Sequence, residues 1–350
     1  MKIHQRIEAF SKLGNWIETQ LELFRNFPNE ETEFSSVLQL AKAHNPWFSM
    51  ENLKFALSHH VKLLNTQALT AWTDKYPQPY FQTSDLKVGV IMAGNIPLVG
   101  FHDLLCVLIS GKKILIKTSS SDSILIPFLI KKLIDIEPLF APYIQIESHI
   151  LKDYDAIIAT GSNNSARYFE QYFSKVPHII RHNRNSLAVI NGNETSDDLH
   201  KLGQDIFYYF GLGCRNVSKV YVPQNYSFNH FFESIQTFDY VSQHTKYFNN
   251  YEYNKALFLI NKVAHLDNGF LLLKESESLA SPVGILNYEF YSDIEVLKNA
   301  IISHSNQIQC LLSQKSLGLN ELKFGNSQIP SLDEYADNVD VMLFLGQLSK

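Results

Sequence analysis

The amino-acid sequence predicts an α/β protein built on parallel sheets, and three features carry that expectation. From residue 86 onward, short apolar runs alternate with amphipathic stretches; parallel strands need such crossover helices to return the chain to the same end of a sheet. The runs are rich in Val, Ile and Leu and close on Gly or a polar residue, as strands buried on both faces do. At 350 residues, with 45% hydrophobic and 19% charged residues, the chain is long enough for two domains with substantial cores.

Residues 1–79 read as helices separated by polar breaks: IHQRIEAFSKLGNWIETQLELF, SSVLQLAKAHN and SMENLKFALSHHVKLL, with Ser49 starting the third and Pro77 and Pro79 closing the region. The run KVGVIMAG is then a strand, a helix is expected from about Leu98 to Ser110, and KKILIKTSS is a second strand. SILIPFLIKKLIDI reads as a helix, YIQIESHI as a weak strand, and DYDAIIATGSNNSARYFEQYF as strand, turn and helix. HIIRHNRNSLAVINGNETSDDLHKLGQDIFYYF supplies strand, loop and helix. In the last third KVYVP, ALFLINK, FLLLKE, VGILNY and QCLLS are strand candidates around the helices NHFFESIQ and DIEVLKNAIISH. The expected division is a first domain near 1–190, a second near 191–315 and a C-terminal return over 316–350.

Charge excludes some function classes. The formal net charge is −5 and no dense Lys/Arg cluster interrupts it, so a nucleic-acid groove is not expected. The start alternates charged and apolar residues at helical spacing and lacks the apolar core of a secretory signal. No stretch reaches the roughly 18 apolar residues that span a bilayer, so the expectation is a cytoplasmic protein. Three separated cysteines fit reduced thiols and give neither a disulfide framework nor a zinc spacing. An aromatic share of 13% fills cores, or in part lines an acyl channel; Phe207, Tyr208, Tyr209 and Phe210 are open to either use.

Cys106 and Cys310 lie among apolar residues and read as core. Cys214 differs: Gly211 and Gly213 permit a tight turn and close approach of a substrate, and Arg215 adds positive charge. On these residues alone it is either a nucleophile or a small residue in a turn. In MAGNIPLVGF a strand ends at Gly94, and Asn95 either caps the following helix or points into the crevice at the carboxyl end of a parallel strand. Lys117, ending ILIK, is a surface lysine or a ligand for a ribose hydroxyl or phosphate. IIATGSNNSARYF is strand, Gly161 turn and helix, which aims backbone N–H groups at the turn and suits a pyrophosphate.

Taken together and in this order, GNIP, KTSS, ATGS, GLGCRNVSKVYV and, near the end, FGNSQIPSLDEYADNVDVMLFL resemble the aldehyde dehydrogenase superfamily, most closely its acyl-CoA reductase branch, the fatty-acyl reductases of bioluminescence type. The resemblance implies an aldehyde dehydrogenase-like fold, with a Rossmann-type parallel-sheet cofactor domain and an α/β catalytic domain. It makes Cys214 the nucleophile, with the basic residue five positions on being Lys219, and Asn95 the amide donor to the carbonyl oxygen. Lys117 and Ser119 of KTSS become cofactor ligands, and Thr160, Gly161 and Ser162 of ATGS lie beside the pyrophosphate. ESESLASPVG resembles the segment whose Glu holds the nicotinamide ribose, which favours Glu277, with Glu275 as the neighbouring candidate.

Two departures refine this. The water-activating Glu of hydrolytic members is replaced near Arg181, so a deacylating water lacks its base. The acidic residue of the K-P-S-E segment is Ser120 here, which makes NADPH at least as acceptable as NADH. The implied reaction is NAD(P)H-dependent reduction of an acyl-CoA, or another acyl thioester, to an aldehyde through an acyl-cysteine, and a homo-oligomer is implied by resemblance only. Alternatives are an acyl-phosphate dehydrogenase, for which Arg181, Arg184 and Arg215 would serve as the cations, a semialdehyde dehydrogenase, or a degenerate binding subunit.

Overall fold

The structure is a computed structural model that describes residues 1–348. It divides into two compact units, residues 1–182 with 331–350 and residues 183–330.

The first unit opens with four helices, α1 (Ile3–Asn26), α2 (Glu33–His44), α3 (Met50–Leu63) and α4 (Thr66–Thr73). Thr32, Ser49 and Asn65 cap the last three through side-chain acceptors, which satisfies N–H groups a helix start leaves open. The sheet then follows as β1 (Lys87–Ile91), α5 (Phe101–Ile109), β2 (Lys113–Lys117), α6 (Leu125–Ile136), β3 (Ile144–Ile146), β4 (Ala156–Thr160), α7 (Asn163–Phe173) and β5 (His178–Arg181). Its order is β3-β2-β1-β4-β5 and every pairing is parallel. Alternate residues face opposite ways, as the strand period requires. Val88, Val90, Ile114, Ile116 and Ile158 join the core with α1, α5 and α6, while Leu115, Ile157 and Ala159 pack with Phe173 of α7.

Two buried cations tie this unit together. Arg6 of α1 donates to the carbonyls of Met1, Phe81 and Ile109, which fixes the helical start against the end of α5. Arg181, the last residue of β5, forms a two-pronged pair with Asp103 of α5 at 2.6 and 2.7 Å, both side chains buried.

The second unit contains β6 (Asn185–Val189), α8 (Ser196–Phe207), β7 (Val217–Pro223), α9 (Asn229–Ser234), α10 (Thr245–Ile260), β8 (Leu266–Asp267), β9 (Leu272–Glu275), β10 (Ile285–Tyr291), α11 (Ile294–Ser303) and β11 (Ile308–Ser313). The sheet order is β11-β6-β7-β10-β9-β8, parallel except for β8 against β9. The chain then returns to the first unit and ends in α12 (Val341–Gln347), where Tyr335 accepts from Trp72 and meets Tyr76, which donates to Asp340.

Three expectations change. The run NSLAV, placed before a boundary near 190, pairs with β7 and β11 in the second sheet, and the chain through Pro330 packs with it, so the units divide at 182/183 and 330/331. ALFLI of ALFLINK is the end of α10, not a strand: a short apolar run is ambiguous by period, and the helix begun at Thr245 runs to Ile260, with Asn261 as its C-cap. The helix expected from Leu98 starts at Phe101, because Leu98 sits at φ 59°, a left-handed geometry that a helix cannot include.

Breaking the buried pair leaves an uncompensated charge, a cost of about 3–5 kcal/mol. Arg181→Ala is therefore expected to lower the stability of the first unit by that amount in urea unfolding, and Arg6→Lys to cost less because its partners are neutral carbonyls.

Candidate active site

Six of the expected site residues gather at the carboxyl edge of the first sheet. The register sets Ile91 of β1 beside Lys117 of β2 and Ala159 of β4, so the segments beginning Asn95, Lys117 and Thr160 leave adjacent strands at one level. Asn95 does not cap α5, whose N-cap is Gly100. It lies instead in a loop that packs tightly on the next one: a Cβ on Gly94 would come within 2.6 Å of the Ser119 side chain and 3.0 Å of the Asp122 nitrogen. Asp122, buried, accepts from the Leu98 N–H at 2.9 Å and so holds the left-handed residue of that loop. Burial pushes its carboxyl up to about 6 against these backbone hydrogen bonds. From below, His44 donates to the Ser120 carbonyl at 2.6 Å and Asn45 to that of Ser121 at 3.2 Å, so α2 steadies the same turn.

Lys117 makes no ion pair or hydrogen bond through its ammonium among the described residues. Ser119 accepts from the Ser121 N–H, and Ser162 caps α7 by accepting from Ser165. Gly161 is required by close packing, since a Cβ there would lie 2.9 Å from Ser165 and 3.0 Å from Phe169. The Thr160 hydroxyl lies 3.4 Å from Arg181.

Cys214 belongs to the second unit and is exposed, whereas Cys106 and Cys310 are buried. α8 stops at Phe207, and the chain then passes through three consecutive left-handed residues, Tyr209, Phe210 and Gly211, at φ 52°, 58° and 76°. For L-residues that geometry costs about 1–2 kcal/mol each. The turn from Gly213 to Asn216 follows, with Asn216 N–H donating to the Gly213 carbonyl at 3.0 Å. Because the Gly213–Cys214 peptide bond is trans, this aims the Cys214 N–H in the opposite sense. Ser186 of β6, fully buried, donates to the Cys214 carbonyl at 2.9 Å and accepts from the Cys310 N–H at 3.1 Å, at the point where both neighbouring ladders shift register.

Comparison with known proteins places this arrangement. The family model of the acyl-CoA reductases (LuxC) matches residues 15–234, more than half of the chain. The chain belongs to the acyl-CoA reductase (LuxC) family. Among solved structures it is similar to aldehyde dehydrogenase 21 from Physcomitrella patens in complex with succinate, at 13% identity and TM-score 0.66 over 97% of this chain and 82% of that one. It is also similar to the indole-3-acetaldehyde dehydrogenase AldA of Pseudomonas syringae in complex with NAD+, at 11% identity and TM-score 0.64 over 91% and 73%. AldC of Pseudomonas syringae, bound to NAD+ and octanal, gives 12% and 0.64 over the same shares. At these identities the likeness is one of fold, and the fold is that of the aldehyde dehydrogenases. No curated protein matches the sequence.

An acyl-CoA reductase performs nicotinamide-dependent reduction of an acyl group, and several cations of this one have structural tasks. The guanidinium of Arg181 is held by Asp103, and that of Arg215 donates to the Cys310 sulfur at 3.4 Å and the Ser327 carbonyl at 3.3 Å. Lys219 is fully buried and donates to Glu289 at 2.5 Å and to the Glu277 carbonyl at 2.9 Å. Ser218 holds the Leu279 carbonyl, and Asn287 those of Ser278 and Ala280. The loop after β9 is thus pinned by its backbone while Glu275 and Glu277 are exposed. The aromatic residues before Cys214 are mostly core: Phe207 stacks on Phe238 at 5.1 Å, and Phe210 lies 4.2 Å from the His244 ring.

Sequence reasoning missed Asn216, Ser186, Asp205 and Asp122. Asp205 is buried on α8 and accepts from the Gly325 N–H and from the N–H and hydroxyl of Ser327, which docks the FGNS segment beside Arg215. Burial pushes this carboxyl up to about 6 despite those bonds. An acid whose folded pKa is raised stabilises the fold below its unfolded value and loses that contribution as pH rises toward the folded one. The stability difference between wild type and Asp205→Asn is therefore expected to fall between about pH 4 and about pH 6 and to be flat above, as read by thermal unfolding across that range.

Proposed function

We propose that this chain reduces an acyl-CoA thioester to an aldehyde through an acyl-thioester on Cys214, with NADPH preferred over NADH. The observation that carries the reading is the exposed Cys214 on a rigid turn, in the order of segments that the family resemblance assigns.

The residues at the carboxyl edge of the first sheet fit a nicotinamide dinucleotide. Gly161 brings the backbone against α7 with no room for a side chain, the N–H groups at the start of α7 suit a pyrophosphate, and Lys117 is available to a ribose or phosphate oxygen. Thr160, Gly161 and Ser162 would lie along the pyrophosphate, Lys117 and Ser119 near the adenosine ribose, and Glu277 near the nicotinamide ribose. When bound, the cofactor supplies the hydride.

The chain's own residues do the rest. The Cys214 sulfur attacks the thioester carbonyl, a carbon–sulfur bond to coenzyme A breaks, and the released thiolate takes a proton as it leaves. The family resemblance assigns Asn95 and the Cys214 N–H as the donors to the oxygen as it gains charge. With Arg181 near the place where hydrolytic relatives carry Glu and no carboxylate in the matching RHNRNSLAVI segment, water lacks its base there and the acyl group stays on sulfur until it is reduced. The resulting thiohemiacetal collapses to aldehyde and restores Cys214. The engaged guanidinia of Arg181 and Arg215 favour a thioester over an acyl phosphate, which needs cations held open.

Cys214→Ala is expected to abolish acyl-CoA-dependent NADPH oxidation. Asn95→Ala should lower kcat by about 10²–10³ with little change in KM, as loss of one oxyanion donor does. Full activity of the Cys214→Ala protein would overturn the scheme, and equal kcat/KM for NADPH and NADH would overturn the cofactor preference.

A further inference from the structure

Asn216 has no role in the chemistry above, and yet it organises the segment that carries the nucleophile. It lies two residues after Cys214 and is buried, 3% exposed. The two hydrogens of its amide nitrogen serve three carbonyls, Tyr208 at 2.7 Å and, with one hydrogen shared, Asp205 at 3.1 Å and Ile206 at 3.3 Å. Two of these belong to the last turn of α8, where helix carbonyls lack partners of their own. Its amide oxygen accepts from the Gly213 N–H at 2.8 Å, while its backbone N–H donates to the Gly213 carbonyl. One side chain thus joins the end of α8 to the turn containing Cys214 and closes a loop over the three left-handed residues between them.

We infer that Asn216 is the positioning residue of the nucleophile: it holds the strained turn 209–211 and through Gly213 sets both the direction of the Cys214 N–H and the placement of its sulfur. Without the amide, the carbonyls of Asp205, Ile206 and Tyr208 lose its donor and the link from the end of α8 to Gly213 is cut, so the strained turn relaxes toward ordinary backbone geometry. The thiol remains exposed, but it is no longer fixed for attack. The inference rests on the reading of Cys214 as the acyl acceptor and adds to it the residue that aims it. Asn216 is buried and its amide is engaged by main-chain groups, so its loss acts on the rate of acyl transfer and not on thioester affinity.

The test is a single-turnover measurement of coenzyme A release, by chromatography, from an acyl-CoA mixed with excess enzyme in the absence of nicotinamide nucleotide. It is made on wild type, Asn216→Ala and Asn216→Ser, the second variant keeping a hydroxyl for Gly213 if the first fails to fold. Alkylation of Cys310, buried beside Arg215, is followed in parallel as a marker of local unfolding. The expected result is release slowed about 10- to 100-fold, most in Asn216→Ala, with thioester Kd unchanged and Cys310 still protected. Unchanged release in the variants, or slowing only in step with Cys310 exposure, overturns the inference and leaves the acyl-cysteine reading standing. No release from the wild type overturns that reading itself, and the inference with it.

Discussion

A helix that ends in the interior must find partners for its last carbonyls, and here that obligation is met by the turn that carries Cys214. The amide of Asn216 reaches back to Asp205, Ile206 and Tyr208 and forward to Gly213. Around this center the other contacts follow. Asp205 extends the tie to the FGNS segment, Arg215 lies across Ser327 and Cys310, and Ser186 anchors the Cys214 carbonyl from the adjoining strand. Placing a thiol by backbone and buried amide leaves its own side chain exposed, which an attacking group needs.

The first unit solves a similar problem with different means. The loops after β1 and β2 approach so closely that only glycine fits at position 94, and Asp122 secures Leu98 in a conformation a leucine rarely adopts. Two polar residues at the end of α2 then brace the second loop. The helical start of the chain is therefore part of what shapes the edge of the sheet, in addition to covering its face.

How far this could be read from the sequence depended on the range of the interaction. The β-α-β pattern, the apolar strands and the residues GNIP, KTSS and ATGS are local signals, and they placed six residues on one sheet edge. ALFLINK and NSLAV misled because strand or helix, and membership of one sheet or another, are decided by distant partners such as Val217–Pro223 and Ile308–Ser313. Asn216 was passed over because an asparagine beside a cysteine looks like an ordinary turn residue; its task is visible only once the helix end eight to eleven residues earlier is folded against it. Leu98 gave no signal at all, since an apolar residue after proline reads as the first turn of a helix.

The proposed function stands or falls with an acyl group that Cys214 carries and water does not remove. It is tested most directly by the intact mass of the wild-type protein over time, after incubation with an acyl-CoA and no nicotinamide nucleotide. A single added acyl mass, mapped to Cys214 and persisting for many turnovers' duration, is the expected result. An unmodified protein, an adduct on another residue, or one that hydrolyses as fast as it forms would contradict it.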